Sequence, residues 1–133
     1  MKKETDQEIK REEENYFFDT YAIIEILEES PDYKEYREKD VTLTVFNLAE
    51  IYYSCLGNFN EQELQEIYDK YKESVVEIDD ETFKEAMKFR KELKKRDVSY
   101  TDSIGYTYAK RHNMKFLTGD KEFENLENVE FVK

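Results

Sequence analysis

The sequence predicts an α/β fold in which helices cover both faces of a central parallel sheet. Five short apolar or β-branched runs alternate with longer segments whose apolar residues recur at helical spacing. This alternation is typical of parallel sheets, because each parallel strand needs a crossover segment before the next one. The chain has 133 residues, of which 15% are aromatic. That length suits one domain with a real core, and so many large aromatics exclude a disordered chain.

The five predicted strands are short runs of large apolar residues bounded by polar ones. They cover residues 16–18, 41–44, 75–78, 114–117 and 129–132. Apolar residues at every third or fourth position predict the helices between them. The helical segments are 20–29, 32–38, 45–56, 61–74, 80–96, 101–112 and a turn at 121–126.

Capping residues set several of these helix boundaries. Pro31 can open the short helix at 32–38, and Asn60 is a suitable cap for the helix that follows it. Asp79 or Asp80 caps the next one, and Tyr100 or Thr101 opens the last long helix.

The first 14 residues differ in composition from the rest of the chain. Residues 1–14 carry almost no large apolar side chain, so we expect a charged tail followed by one domain at 15–133. The tail lacks the apolar segment of a signal peptide, and no apolar run approaches the roughly 18 residues of a membrane span. The single cysteine, Cys55, cannot form an internal disulfide, which favours a reducing, cytoplasmic location.

Four acidic residues stand where a parallel sheet places its site. Asp19 follows the first predicted strand directly. Asp120 follows the fourth predicted strand, after Thr118 and Gly119. Glu50 and Asp102 lie on helices among apolar neighbours. Four carboxylates brought together would repel each other, and hard divalent cations such as Mg²⁺ or Mn²⁺ would stabilise them.

Each of these acids also has a purely structural interpretation. Asp19 could cap a helix, Asp120 could close a turn, and Asp102 could interact with a helix dipole. Glu50 is harder to explain in this way, because a lone carboxylate among apolar residues is costly.

Four segments of the sequence resemble the acidic motifs of PIN-domain nucleases, in particular the VapC-type toxins of prokaryotic toxin–antitoxin systems. The segments are Phe17-Phe18-Asp19-Thr20-Tyr21-Ala22-Ile23-Ile24, Leu48-Ala49-Glu50-Ile51, Tyr100-Thr101-Asp102-Ser103-Ile104 and Phe116-Leu117-Thr118-Gly119-Asp120-Lys121-Glu122-Phe123. The resemblance covers residues 16–133 in order and spacing, and the stretch from Tyr100 to Phe123 is its most specific part. It implies a five-stranded parallel sheet of order 3-2-1-4-5.

The resemblance also implies a site and partners. The family's catalytic, metal-binding acids correspond to Asp19, Glu50, Asp102 and Asp120. Thr118 matches a hydroxyl residue that bonds into the site, Thr20 follows the first acid, and Glu122 stands where another Asp is common. One or two Mg²⁺ or Mn²⁺ ions would activate water to hydrolyse RNA. Family members usually form homodimers, and toxin members are blocked by an antitoxin.

Other functions remain open at this point. A stand-alone RNA-processing nuclease would carry the same acids, and a PIN-like domain could also bind without turnover. A receiver-like phosphoacceptor domain would use Asp79 as the acceptor, but leaves Glu50 and Asp102 unexplained.

The charge is unevenly distributed along the chain. The formal net charge is −12, which by itself argues against a nucleic-acid partner. Residues 84–115, however, hold ten bases against four acids. This segment is a candidate contact for an RNA backbone or, equally well, a solvated helix face. The candidate RNA-binding residues are Lys91, Lys94, Lys95, Arg96, Lys110 and Arg111.

Overall fold

The computed structural model describes residues 14–93 and 96–133. The predicted charged tail, apart from Glu14, and the candidate RNA-binding residues Lys94 and Lys95 lie outside this range. In the described part of the chain, no helix is both long and apolar enough to cross a membrane.

The chain alternates helices with short strands. Its strands are β1 (Tyr16–Phe18), β2 (Lys115–Thr118) and β3 (Val129–Phe131). Its α-helices are α1 (Thr20–Leu27), α2 (Val45–Cys55), α3 (Glu61–Lys72), α4 (Asp80–Glu92) and α5 (Tyr100–Arg111), and 3₁₀ turns cover Pro31–Tyr36 and Lys121–Phe123.

The sheet within the described residues is parallel, with three strands in the order β1-β2-β3. The predicted strands at 16–18, 114–117 and 129–132 are therefore confirmed within a residue or two. The prediction of five strands is wrong, because residues 41–44 and 75–78 are joined only by an isolated parallel bridge between Leu43 and Val75.

The chain leaves the sheet too early for residues 41–44 to form a strand. Thr42 O still accepts a hydrogen bond from Phe18 N at 2.9 Å, so this segment does lie beside β1. Two residues later, Thr44 N donates to Asn47 Oδ1 at 3.0 Å in the capping box of α2. Because that N–H is used by the cap, it cannot continue a strand ladder.

Helix caps follow the sequence signals closely. Asn60 caps α3 in a capping box with Glu63, and Asp79 caps α4 by accepting from Thr82 N at 2.7 Å. Helix α4 ends at Glu92, earlier than the predicted 96. Helix α5 begins at Tyr100, one of the two predicted starts.

Side-chain alternation along the strands builds a core on each face of the sheet. Phe17 and Phe116 are paired in register and pack with Tyr106 beneath α4 and α5. Phe18 and Leu117 point the other way and pack under α1, α2 and α3. The predicted arrangement of helices on both faces is thus confirmed, and it leaves the carboxyl ends of β1 and β2 open at one edge.

Candidate active site

Asp19 is held at the carboxyl end of β1. It is only 3% exposed, and its backbone N–H donates to Leu117 O on the neighbouring strand at 3.0 Å. Its Oδ1 accepts from Thr20 N at 2.8 Å as the cap of α1, and its Oδ2 accepts from Thr118 Oγ1 at 2.6 Å. Both oxygens of this carboxyl group are therefore fixed in place.

Glu50 is oriented by a relay of hydroxyl and amide groups. Thr20 Oγ1 donates to Glu50 Oε1 at 2.6 Å and accepts from Asn47 Nδ2 at 3.1 Å. Asn47 is itself fixed, since its Oδ1 accepts from both the backbone and the hydroxyl of Thr44. The cap of α2 thus positions Thr20, which in turn holds Glu50.

The other two acids lie at the starts of helical segments. Asp102 is in the first turn of α5, where its N–H donates to Ser99 Oγ at 3.0 Å. Asp120 caps the 3₁₀ turn after β2, and its Oδ1 accepts from Glu122 N at 3.0 Å. Its own N–H donates to Thr118 Oγ1, so Thr118 links Asp19 to Asp120.

One open cleft of about 510 Å³ brings all four acids together. The residues that line it are Asp19, Thr20, Tyr21, Glu50, Ser99, Asp102, Gly119, Asp120 and Lys121. The acids come from four separate segments of the chain, yet they face one space. Gly119, on the cleft wall, has no room for a side chain, because a Cβ there would overlap the Tyr21 ring and lie 2.6 Å from Val132 O.

The cleft disfavours negative charge. Burial raises the pKa of Asp19 well above its usual range, and the neighbouring Asp102 carboxylate raises it further. Burial also raises the pKa of Asp102, with Asp120 and Glu50 adding repulsion. Bound cations would relieve this repulsion.

The donor set fits a hard divalent cation in its chemistry. It consists of carboxylate and hydroxyl oxygens, which Mg²⁺ and Mn²⁺ prefer. The geometry fits less closely: in the described residues, no three acidic, imidazole or thiol side chains form a ready metal-binding group.

The three supporting residues take different positions. Thr20 and Thr118 bond directly to Glu50 and Asp19. Glu122 is absent from the lining of the cleft, within the described residues. Its Oε1 instead accepts from Asp97 N at 3.0 Å, and its backbone oxygen accepts from Arg96 at 2.5 Å. Glu122 thus fastens the loop before α5 to the Asp120 turn.

The candidate RNA-binding residues separate into two groups. Lys110 and Arg111 lie at the far end of α5, roughly 12–14 Å along the helix from Asp102. Both are in ion pairs, Lys110 with Glu127 at 2.7 Å and Arg111 with Glu85 at 3.4 Å. Exposed Arg96 binds the backbone of Glu122 beside the Asp120 turn, and exposed Lys91 lies in the last turn of α4.

Several residues of the site were not identified from the sequence. Ser99 and Lys121 line the cleft, and Asn47 holds Thr20. Ser99 stands three positions before Asp102, a capping spacing that could have revealed it. The sequence carried no such signal for the contact between Asn47 and Thr20, which joins two helices.

Asp79, the acceptor in the receiver-like interpretation, does not line the acidic cleft. It caps α4, and the hydrogen bond from Thr82 N holds its pKa below the usual value. A phosphoacceptor would need to face the other acids, so the geometry disfavours that alternative.

Comparison with solved structures finds the same fold in proteins of low sequence identity. A toxin–antitoxin complex from Klebsiella pneumoniae matches with a TM-score of 0.71 and 18% identity, over 87% of this chain and 96% of that one. VapBC2 from Rickettsia felis, bound to a promoter DNA fragment, matches with a TM-score of 0.66 and 16% identity, over 89% of this chain and 98% of that one. FitAcB from Neisseria gonorrhoeae matches with a TM-score of 0.61 and 16% identity, over 89% of this chain and 96% of that one.

Curated protein sequences give no significant match. The family model of the PIN domain, however, matches residues 16–129, which include all four acids of the cleft. Sequence pattern, fold and cleft agree with this match, and the chain belongs to the PIN domain family.

Proposed function

We propose that this protein is a Mg²⁺- or Mn²⁺-dependent endoribonuclease, and that it is the toxin of a toxin–antitoxin pair. The observation that carries the proposal is the convergence of Asp19, Glu50, Asp102 and Asp120 on one cleft. PIN domains are generally nucleases that use divalent metal ions, which supports the same chemistry here.

The four acids would hold the metal ions. Bound there, such ions would lower the pKa of a water molecule and offset negative charge on the phosphodiester transition state. Thr118 and Thr20 would fix the orientation of Asp19 and Glu50 for this task. Lys121 places a positive charge on the cleft wall, where it could contact a phosphate.

The RNA backbone would approach along the basic side of the cleft. Lys91 and Arg96 are the described candidates there, and Lys94 and Lys95 lie between them in sequence. Phosphate contacts of this kind hold a strand in place without reading its sequence. Since Lys110 and Arg111 are paired at the other end of α5, we do not assign them to this contact.

Structural likeness supports the toxin assignment. The similar structures include a toxin–antitoxin complex and VapBC2. By analogy we propose an antitoxin protein as partner, a homodimer as the assembled form and the cytoplasm as location. A stand-alone RNA-processing nuclease is the second candidate, because the same cleft would serve it.

The activity test is cleavage of an RNA pool with Mn²⁺, with Mg²⁺ and with chelator. We expect cleavage only with metal, and its loss in Asp19→Asn. A folded wild-type protein that cleaves no RNA under either metal would contradict the nuclease assignment.

The toxin assignment has a separate test. Induced expression of the wild-type chain should arrest bacterial growth, whereas Asp19→Asn should not. Co-expression of a small open reading frame adjacent to this gene should restore growth. A chain that cleaves RNA without affecting growth would favour the RNA-processing alternative.

A further inference from the structure

Tyr100 is an exposed aromatic residue beside the acidic cleft. It stands between Ser99 and Asp102, both of which line the cleft, and opens α5. Its side chain is 61% exposed, so most of the ring is in contact with water. The ring therefore contributes little to the core and offers an amphipathic aromatic surface to a ligand.

Arg90 holds this ring in place from one side. The Arg90 guanidinium lies 4.1 Å from the ring centroid of Tyr100, a cation–π stacking distance. Arg90 Nε also donates to Val98 O at 2.9 Å, which fixes the guanidinium against the loop before α5. With one face covered by Arg90, the exposed part of the ring is preorganised to stack on a second planar group.

The basic residues close to this ring in sequence indicate what that planar group is. Exposed Lys91 follows Arg90, and exposed Arg96 lies in the same α4–α5 connection. An aromatic platform beside basic side chains is the arrangement that binds single-stranded nucleic acid, since the bases stack while phosphates meet the positive charges. An apolar protein segment would gain nothing from these charges.

We propose that Tyr100, backed by Arg90, is a stacking subsite for one nucleobase of a single-stranded RNA. The proposal rests on the nuclease function proposed above. In this arrangement the base beside the scissile phosphate stacks on Tyr100, and its phosphate lies towards Asp102 and the metal-binding acids. The platform would position the strand without selecting a base by hydrogen bonds, because every base has a stacking face.

The test uses the absence of tryptophan from the sequence. In an Asp19→Asn background, which should bind RNA without cleaving it, Tyr100→Trp supplies one fluorescent reporter at the subsite. A short single-stranded RNA should quench this fluorescence. An abasic oligonucleotide of equal length and charge should bind more weakly and quench little. Equal binding and quenching by both oligonucleotides would overturn the proposal.

Affinity measurements on matched variants complete the test. Loss of one base–aromatic stack corresponds to roughly a 5- to 150-fold weaker binding, expected for Tyr100→Ala and not for Tyr100→Phe. Phe83→Ala is the control, because Phe83 is also exposed but lies about two turns, roughly 10 Å, before Arg90 on α4. Tyr100→Ala binding RNA within twofold of its parent would refute the subsite, and would leave a protein contact as the role of the ring.

The two proposals fail in different ways. If the wild type cleaves RNA and Tyr100→Ala cleaves it with unchanged KM, the subsite is wrong and the nuclease stands. If base-dependent quenching is present but no metal supports cleavage, the subsite stands and the nuclease is wrong. If RNA neither quenches the reporter nor binds, the subsite is wrong whatever the activity.

Discussion

Replacing Thr118 with valine tests whether the buried hydroxyl serves the metal site or only the fold. Thr118 is fully buried, and its Oγ1 donates to Asp19 Oδ2 at 2.6 Å while accepting from Asp120 N at 3.0 Å. Valine has nearly the same shape, so Thr118→Val removes both bonds without opening a cavity.

The magnitude follows from the burial of Asp19. Leaving a buried acceptor without its donor costs about 1–3 kcal/mol. For a chain of 133 residues, an unfolding entropy near 2.1 cal/mol/K per residue converts this to a Tm lower by roughly 4–11 °C. Mutation of a residue that orients a metal ligand typically weakens metal affinity by about 10- to 100-fold. We expect Thr118→Val to lose Mn²⁺ affinity in that range.

The pH dependence has a definite sign. The Thr118 hydrogen bond lowers the pKa of Asp19, whereas burial raises it. Without the hydroxyl, the pKa of Asp19 rises further, and metal must compete with a more tightly held proton. The affinity gap between Thr118→Val and wild type should therefore widen as the pH falls.

The assay is Mn²⁺ titration at several pH values, together with thermal unfolding in chelator. Thr118→Ser is the matched control, since it keeps the hydroxyl and should retain metal affinity. Thr118→Val with wild-type Mn²⁺ affinity and a lowered Tm would refute the reasoning, because Thr118 would then support the fold alone.

Three further predictions concern neighbouring positions. Asp102→Asn should abolish metal-dependent cleavage and make the metal-free protein more stable at pH 8 than the wild type. When folding raises the pKa of an acid, the folded protein loses stability as the pH rises above the unfolded pKa. In thermal melts with chelator, the Tm advantage of Asp102→Asn over the wild type should therefore be smaller at pH 5 than at pH 8. A larger advantage at pH 5 would contradict the idea. Glu122→Gln should keep RNA cleavage, because the amide oxygen of Gln can still accept from Asp97 N. Glu122→Ala should lower the cleavage rate. An equal loss of cleavage in both variants would instead indicate that Glu122 is a charged metal ligand. Gly105→Ala should lower the Tm by roughly 4–7 °C, a net loss of about 1–2 kcal/mol, because its Cβ would lie 2.6 Å from the buried Phe17 ring; an unchanged Tm would show that the core can adjust.

The sequence predicted the elements that local signals define. Caps at Asn60 and Asp79 are correct, because a capping side chain acts on backbone groups two or three residues away. Strand content was less predictable. The β-branched run at 41–44 has the composition of a strand, but Thr44 is used in the cap of α2, and residues 75–78 make only an isolated bridge.

The four acids were recognisable from sequence because each follows a strand or interrupts an apolar helix face. The order of the motifs along the chain indicates which acids belong to the site, and the family match covers all four of them. The partners of the acids were less accessible. Glu122 resembles a further site acid in sequence, yet its carboxylate bonds to Asp97 N, outside the lining of the cleft.

The sequence by itself determined the alternation of helices and strands, the family and the acidic residues of the cleft. These follow from side-chain periodicity and motif spacing, which are properties of short segments. Only the tertiary structure decided that Arg111 pairs with Glu85, and that Arg90 supports Tyr100 beside Asp102. Such relations depend on how α4 packs against α5, and no local pattern in either helix records that packing.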